Sequence, residues 1–249
     1  MSLTFKDKMK NDLVLGCFIN FSSPDLVEII AYAGYDFVIL DNEHGSLSYE
    51  SINHMIRAAK SLNIEPIVRV SYDESSIQKS LDQGARGIQV PWVNNVEDAK
   101  EVVNKAKYSP VGKRGVSFST PAANYGNLNE ENFTSEQNNN TLISVQIETE
   151  EAVKNFEDII SLSNVDIAFI GTADLANDMG YEKASHERVQ NIVSDLFKKA
   201  RDYDIQMGIV ASDEESIKNA KNLGASYVSI VANKVISNSL KDLCLFARK

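Results

Sequence analysis

The sequence predicts an α/β fold built from repeated strand–helix units, and three observations carry the prediction. Eight short runs rich in β-branched and aromatic residues are nearly continuous in apolar character, as strands buried on both faces of a parallel sheet must be. Stretches with helical periodicity separate most of them. The junctions also repeat: AYAGYDFVIL, LDQGARGIQV and KNLGASYVSI set Gly34, Gly84 and Gly224 where a helix ends and a strand begins, a position where a left-handed cap favours glycine. Eight such units in 249 residues favour a closed (β/α)8 TIM barrel, one domain over residues 1–249, rather than an open doubly wound sheet. No GxGxxG or Walker-type loop marks the nucleotide crevice of an open sheet.

In chain order, Phe5, Met9 and Leu13 fall at helical spacing, so the chain opens on a short amphipathic helix that covers apolar surface. The expected strands are Val14–Ile19, Phe37–Asp41, Pro66–Val70, Gly87–Pro91, Ile143–Glu148, Ile167–Gly171, Gln206–Val210 and Tyr227–Val231. Ser23 and Pro24 read as a capping serine before a proline at the first helical position. Ser212 to Glu215 reads as a capping box. One interval breaks the rhythm: residues 110–141 form a long polar loop. Within it, Asn127–Asn140 holds a solvated helix or a mobile tip, and Phe118 and Tyr125 are apolar handles for folding the loop over a site.

Composition narrows the partners. Apolar residues make up 43% of the chain, ample for a core. A net charge of −10 argues against a nucleic-acid footprint or an anionic membrane surface. Cys17 and Cys244 stand far apart with no CxxC, the usage of a reducing compartment. The first residues carry no secretory signature, and no apolar run is long enough to cross a bilayer. The expectation is a cytoplasmic protein with small-molecule partners, no nucleic acid and no membrane.

In a barrel, chemistry gathers where the strands end. Strand two ends at Asp41 and continues Asn42, Glu43, His44, Gly45. Strand three ends at Arg69, strand five carries Gln146 and Glu148, and strand six runs through Gly171, Thr172 and Ala173 to Asp174. A Gln and a Glu ending a buried run need partners. Glu148 and Asp174 either hold a divalent cation, which favours carboxylate oxygens, or simply begin the helices that follow them. Arg69 requires an anion, internal or bound. His44 is a turn or surface group or, with Asp41 fixing its tautomer, an acid/base. Asp82 and Arg86 read as a solvated helix face and its exit, and Lys113–Gly115 as a weak phosphate grip.

Taken together, DNEHG at 41–45, VRV at 68–70, YSPVGKRG at 108–115, QIET at 146–149 and IGTADL at 170–175 resemble the HpcH/HpaI aldolases, class II metal-dependent pyruvate aldolases. The motifs keep family order over nearly the whole chain. The resemblance implies reversible cleavage of a 4-hydroxy-2-oxo acid, such as a 2-keto-3-deoxy sugar acid, to pyruvate and an aldehyde through a pyruvate enolate. It implies Glu148 and Asp174 as ligands of Mg²⁺, Mn²⁺ or Co²⁺, and Arg69 as the group on the ketone or enolate oxygen. Gln146 and the backbone of Gly171, Thr172 and Ala173 would bind the 2-oxo acid. His44, oriented by Asp41, would be the acid/base for the aldol hydroxyl. In such a site the metal is a Lewis acid and the arginine adds preorganised charge. The resemblance further implies a homo-hexamer, a trimer of dimers, whose barrels exchange their last helix. Val235, Ile236, Leu240, Leu243 and Phe246 supply the apolar face such an exchange needs.

The chain departs from the family pattern at Thr172, often Pro, and at Asn42, often Gly. Residues 116–153 also contain no Lys or Arg, so a second carboxylate on the aldehyde side has no obvious partner, and a neutral or hydroxylated aldehyde is expected over succinic semialdehyde. The rival enzyme readings are an oxaloacetate decarboxylase and a CoA-linked lyase of the citrate lyase beta type, whose nucleotide would want a basic groove. A Schiff-base aldolase is disfavoured because no lysine lies inside an expected strand, Lys234 being the nearest. A non-catalytic barrel ranks last.

Overall fold

Eight parallel strands pair in sequence order, and the last closes on the first: β1 (Val14–Ile19), β2 (Phe37–Asp41), β3 (Glu65–Arg69), β4 (Gly87–Val90), β5 (Leu142–Ile147), β6 (Ile167–Ile170), β7 (Gln206–Val210) and β8 (Tyr227–Val231). This computed structural model, which describes residues 4–71, 73–128 and 130–249, is the (β/α)8 barrel that the sequence predicts. Four strands shift by a residue from expectation, which leaves Glu148 and Gly171 just past the ends of β5 and β6.

The helices are α1 (Phe5–Asn11), α2 (Pro24–Tyr32), α3 (Tyr49–Ser61), α4 (Ser76–Asp82), α5 (Val96–Ala106), α6 (Glu130–Asn140), α7 (Glu150–Lys154), α8 (Phe156–Ile160), α9 (Thr172–Asp178), α10 (Glu187–Lys199), α11 (Glu214–Leu223) and α12 (Ala232–Ala247). Their boundaries follow local chemistry. Ser23 accepts the Leu26 N–H with Pro24 opening α2. Gly34, Gly84 and Gly224 all take the left-handed conformation at helix exits, as the repeated junction requires. The cap of α11 differs from expectation. Asp213, not Ser212, is the N-cap and forms the box with Ser216, a carboxylate being well suited to the positive end of a helix.

Two cores result. The larger lies between the sheet and the helices. The smaller fills the barrel, where α1 plugs the amino end with Phe5 and Met9 against Phe37, Ile67, Leu142, Ile167, Phe169 and Tyr227; Leu13 lies beyond the helix. Phe37 stacks on Tyr227 at 4.1 Å and meets Phe5 edge-on at 5.9 Å. The strand period of two then carries the inward row upward from apolar to polar. Phe37 and Ile39 lead to Asp41 on β2, Ile67 to Arg69 on β3, and Leu142 to Gln146 and Glu148 on β5. The register sets Asp41 beside Arg69, and Arg69 beside Gln89.

The long loop is not a lid. A kinked turn segment (Pro121–Gly126) and α6 wrap the flank of the barrel, where Tyr108, Phe118, Ala122, Ala123 and Phe133 form a satellite core. Phe118 turns onto Phe133, with ring centroids 5.6 Å apart, and Tyr125 points to solvent; neither reaches the cavity described below. Phe133 gives the otherwise polar α6 the apolar anchor that draws the loop to this flank. Buried Arg114 donates to Asp82 at 2.6 Å and lies over the Tyr108 ring. The Lys113–Gly115 segment is therefore a brace rather than a phosphate grip, and Asp82 is not a free surface acid. Lys107 donates to the carbonyls of Asn138 and Thr141 at 2.6 and 2.7 Å, which satisfies the negative end of α6. Among the described residues, no helix is long and apolar enough to cross a membrane.

Candidate active site

A cavity of about 470 Å³ opens at the carboxyl end of the barrel. Its wall brings together eight of the nine residues singled out in the sequence and implied by the resemblance, Asp41, His44, Arg69, Gln146, Gly171, Thr172, Ala173 and Asp174. Glu148 sits just behind this wall, 2% exposed.

Arg69 is the hub. Its guanidinium forks onto Asp41, Nε to Oδ1 at 2.9 Å and Nη2 to Oδ2 at 2.7 Å. Its Nη1 lies 3.1 Å from Glu43 Oε2, and its plane packs over Phe18 at 5.0 Å. Burial opposes the charge, yet Asp41, Glu43 and Glu148 outweigh it and hold Arg69 above its usual range. Two of the five guanidinium N–H donors are thus hydrogen-bonded to Asp41, Nη1 is drawn to Glu43 as an ion pair, and the remaining donors can meet a ligand. The anion required by a strand-borne arginine is therefore internal in the first instance.

The arrangement around His44 corrects one expectation. Asp41 does not orient the imidazole. Its Oδ1 accepts the backbone N–H groups of Glu43 and His44, both at 3.2 Å, while Arg69 occupies the rest of the carboxylate. The carboxylate beside the ring is Glu43, with Oε2 at 3.9 Å from Nε2, and the His44 side chain is 61% exposed at the cavity rim. The reason is geometric: the turn after β2 folds back so that Asp41 caps its own following amides, as aspartates in turns do. Glu43 was given no role from sequence. Its signal was its place two residues after Asp41 in DNEHG.

On the opposite side a polar relay fixes Glu148. Gln89 Nε2 donates to Gln146 Oε1 at 2.9 Å, and the Gln146 amide donates in turn to Glu148 Oε2. The other carboxylate oxygen accepts the Trp92 N–H at 2.7 Å. Trp92 takes φ +57° to offer that amide, a strained conformation for a bulky residue. Gly171 is required here. A Cβ on it would sit 2.7 Å from Glu148 Oε2 and 2.8 Å from Glu148 Cβ. Burial pushes Glu148 up to about 6; the Trp92 and Gln146 hydrogen bonds pull it down, and the charges of Glu43 and Asp174 push it up further. Asp174 stands in the first turn of α9, so its helix-start reading and its cavity position both hold. Gln89 and Trp92 were missed in sequence because neither has a motif of its own; only the closed barrel sets β4 beside β5.

Among the described residues, no group of three or more His, Cys, Asp or Glu side chains is assembled as a metal centre. The carboxylates that could share a cation with water and ligand oxygens are Glu148 and Asp174. Their donor set is all oxygen, and the like charge that raises Glu148 is what a bound cation would offset.

A cavity at the carboxyl end of a (β/α)8 barrel, with an arginine clamped by carboxylates and a second acidic pair beside it, defines an enzyme site of the acid/base and charge-stabilising class. The HpcH/HpaI aldolase/citrate lyase family model matches residues 14–235, and the chain belongs to that family. It is 30% identical to a 2-keto-3-deoxy-L-rhamnonate aldolase of Klebsiella pneumoniae, over 94% of this chain and 88% of that protein. Its fold is similar to that of the HpcH/HpaI aldolase from Desulfitobacterium hafniense, with TM-score 0.93, 28% identity, and 100% and 98% of the two chains covered. It is similar also to the citrate synthase SbnG, with TM-score 0.88, 28% identity and 99% and 98% covered.

Proposed function

We propose that the chain is a carbon–carbon lyase, an aldolase that reversibly cleaves a 2-keto-3-deoxy sugar acid to pyruvate and an aldehyde. The observation that carries the reading is the buried carboxylate Glu148, fixed by Trp92 and Gln146 and placed with Asp174 and Arg69 at the barrel mouth. Glu148 and Asp174 would hold a divalent ion, Mg²⁺, Mn²⁺ or Co²⁺, which when bound supplies Lewis-acidic charge to the oxygens of the 2-oxo acid.

This chain's own residues do the rest. Gln146 and the backbone at Gly171, Thr172 and Ala173 bind the 2-oxo acid end. The free donors of Arg69 stabilise the negative charge that gathers on the C2 oxygen as the C3–C4 bond breaks. Its clamp on Asp41 and Glu43 means that little reorganisation is needed. At the rim, His44 removes the proton from the C4 hydroxyl during cleavage and returns it during condensation. The rival decarboxylase and CoA-linked readings gain no feature of their own from the cavity wall.

The test needs no aldehyde. Pyruvate methyl protons should exchange into D₂O, followed by NMR, with Mg²⁺ or Mn²⁺ and not with chelator. Glu148→Ala should abolish exchange and Arg69→Ala should weaken it. A second readout is the chain's single tryptophan, Trp92, whose amide holds Glu148: Mn²⁺ or Co²⁺ should quench its fluorescence in wild type and not in Glu148→Ala. Metal-independent exchange, or none, would count against the reading.

The proposal extends to assembly. Along α12 only Ala232 is buried, while Val235, Ile236, Leu240, Leu243, Leu245 and Phe246 are exposed. Such an exposed apolar face fits exchange with a second copy in a homo-oligomer, a hexamer built as a trimer of dimers. Light scattering should give an oligomer for the wild type and smaller species for Leu240→Asp/Leu243→Asp; an unchanged mass would sink it.

A further inference from the structure

The cavity has a second charged pole, which the pyruvate chemistry leaves unused. Lys234, in the first turn of α12 at its junction with β8 and so before the apolar stretch proposed to exchange, lines it together with Ser212, just past β7. In the ring of eight strands β8 stands opposite β4, so this wall faces Trp92 and the Glu148 it holds across the mouth. The two cations of the cavity are in different states. Arg69 is committed to Asp41 and Glu43. Lys234 has no hydrogen bond or ion pair with any described residue. The nearby carboxylate of Asp213 is taken up in capping α11, accepting from Ser216 N–H at 2.8 Å and from the Ser212 hydroxyl at 3.2 Å.

Asp41 and Asp174 line the same cavity, but Asp41 is held by Arg69 and neither forms an ion pair with Lys234; an exposed ammonium at a cavity wall that makes no ion pair among the described residues complements an anion. The loops after strands seven and eight are also where many (β/α)8 enzymes receive an anionic substrate group. We propose that Lys234 binds a terminal anionic group, carboxylate or phosphate, on the aldehyde half of the substrate. The substrate is then a 2-keto-3-deoxy acid charged at both ends, with the 2-oxo acid on the β5–β6 side and the second anion at Lys234. This rests on the aldolase reading above. It also replaces the expectation of a neutral aldehyde, which turned on the missing cations of residues 116–153. The part of that segment forming the loop lies on the barrel flank, and the cation comes instead from position 234.

The experiment runs the condensation of pyruvate with three aldehydes: neutral glyceraldehyde, glyceraldehyde 3-phosphate and succinic semialdehyde. Wild type, Lys234→Met and Lys234→Arg are compared. Wild type should favour at least one acidic aldehyde over the neutral one by tenfold or more in kcat/KM, and which acid leads separates phosphate from carboxylate. Lys234→Met should cut that ratio at least tenfold, mainly through the aldehyde KM, and Lys234→Arg should keep most of it. Retention by Arg also excludes an imine at this position, since a guanidinium forms none. A wild type that prefers glyceraldehyde, or a Lys234→Met variant with the ratio unchanged, overturns the proposal. Turnover of no aldehyde overturns the aldolase reading itself, and the proposal with it.

Discussion

The two ends of the barrel are built from the same inward-facing rows and do opposite things with them. At the amino end the rows close on Phe5, Met9, Phe37, Ile67, Leu142, Ile167 and Tyr227, an aromatic and aliphatic plug. A few residues further along each strand the side chains become Asp41, Arg69, Gln89, Gln146 and Glu148, cross-braced by hydrogen bonds. The plug gains free energy by leaving water. The upper end spends it, holding a carboxylate raised to about 6 by burial and neighbouring acids and a tryptophan at φ +57°. The lower end therefore carries stability for an upper end whose arrangement is set by chemistry.

Paired substitutions, one at each end, separate these roles most sharply. Gly171→Ala places a methyl group 2.7 Å from Glu148 Oε2 and must displace the carboxylate. Pyruvate exchange should fall by about a hundredfold or more, while stability changes by about 1 kcal/mol. Phe37→Ala empties the stack between Phe5 and Tyr227 and should cost about 3–5 kcal/mol, with the exchange rate per folded molecule retained. Urea melts and the NMR exchange assay on both variants decide it. If Phe37→Ala loses activity in proportion to Gly171→Ala at full folding, the ends are not separable.

What could be read in the sequence follows from the same alternation. The strand runs, the helix-exit glycines and the polar residues at strand ends are local signals, and Asp41, Arg69, Gln146 and Gly171 are all found lining one cavity. What could not be read depends on neighbours distant in sequence. Asp41 was matched to His44 because they are three residues apart, whereas the register of β2 on β3 gives its carboxylate to Arg69. Trp92 reaches Glu148 from 56 residues away. The loop at 110–141 looked like a lid because it is long and polar; Phe133 and Arg114, facing Tyr108 and Asp82, tie it to the flank instead.

That flank offers a test of intermediate size, since it buries a charge with neither a plug nor a site to explain it. Burial pushes Lys107 down to about 8 from 10.5, Lys6 and Arg114 adding to the effect and Asp166 opposing it. Below pH 8 both folded and unfolded chains hold the proton, and the full cost of burying the charge is present. Between 8 and 10.5 the unfolded chain binds more protons, so stability rises with pH. Relative to Lys107→Met, wild type should gain up to about 3 kcal/mol across that window. Denaturant melts of both proteins at pH 7.5 and pH 10 measure the difference. A gap independent of pH would mean that the two carbonyls at the end of α6 hold the ammonium charged throughout.

The smallest expected effect lies inside the plug itself. Tyr227 is fully buried, its hydroxyl has no hydrogen-bond partner among the described residues, and burial holds it well above the usual tyrosine range. Its ring does the packing, stacked on Phe37 and edge-on to Phe169 at 6.1 Å, so the hydroxyl adds a desolvation cost and no contact. Tyr227→Phe should therefore raise stability by about 1 kcal/mol and Tm by about 2–4 °C, with pyruvate exchange unchanged. If the variant is instead less stable, the hydroxyl is solvated in the folded state. The amino end would then hold water within its aromatic layer, and its contrast with the polar end above would be one of degree.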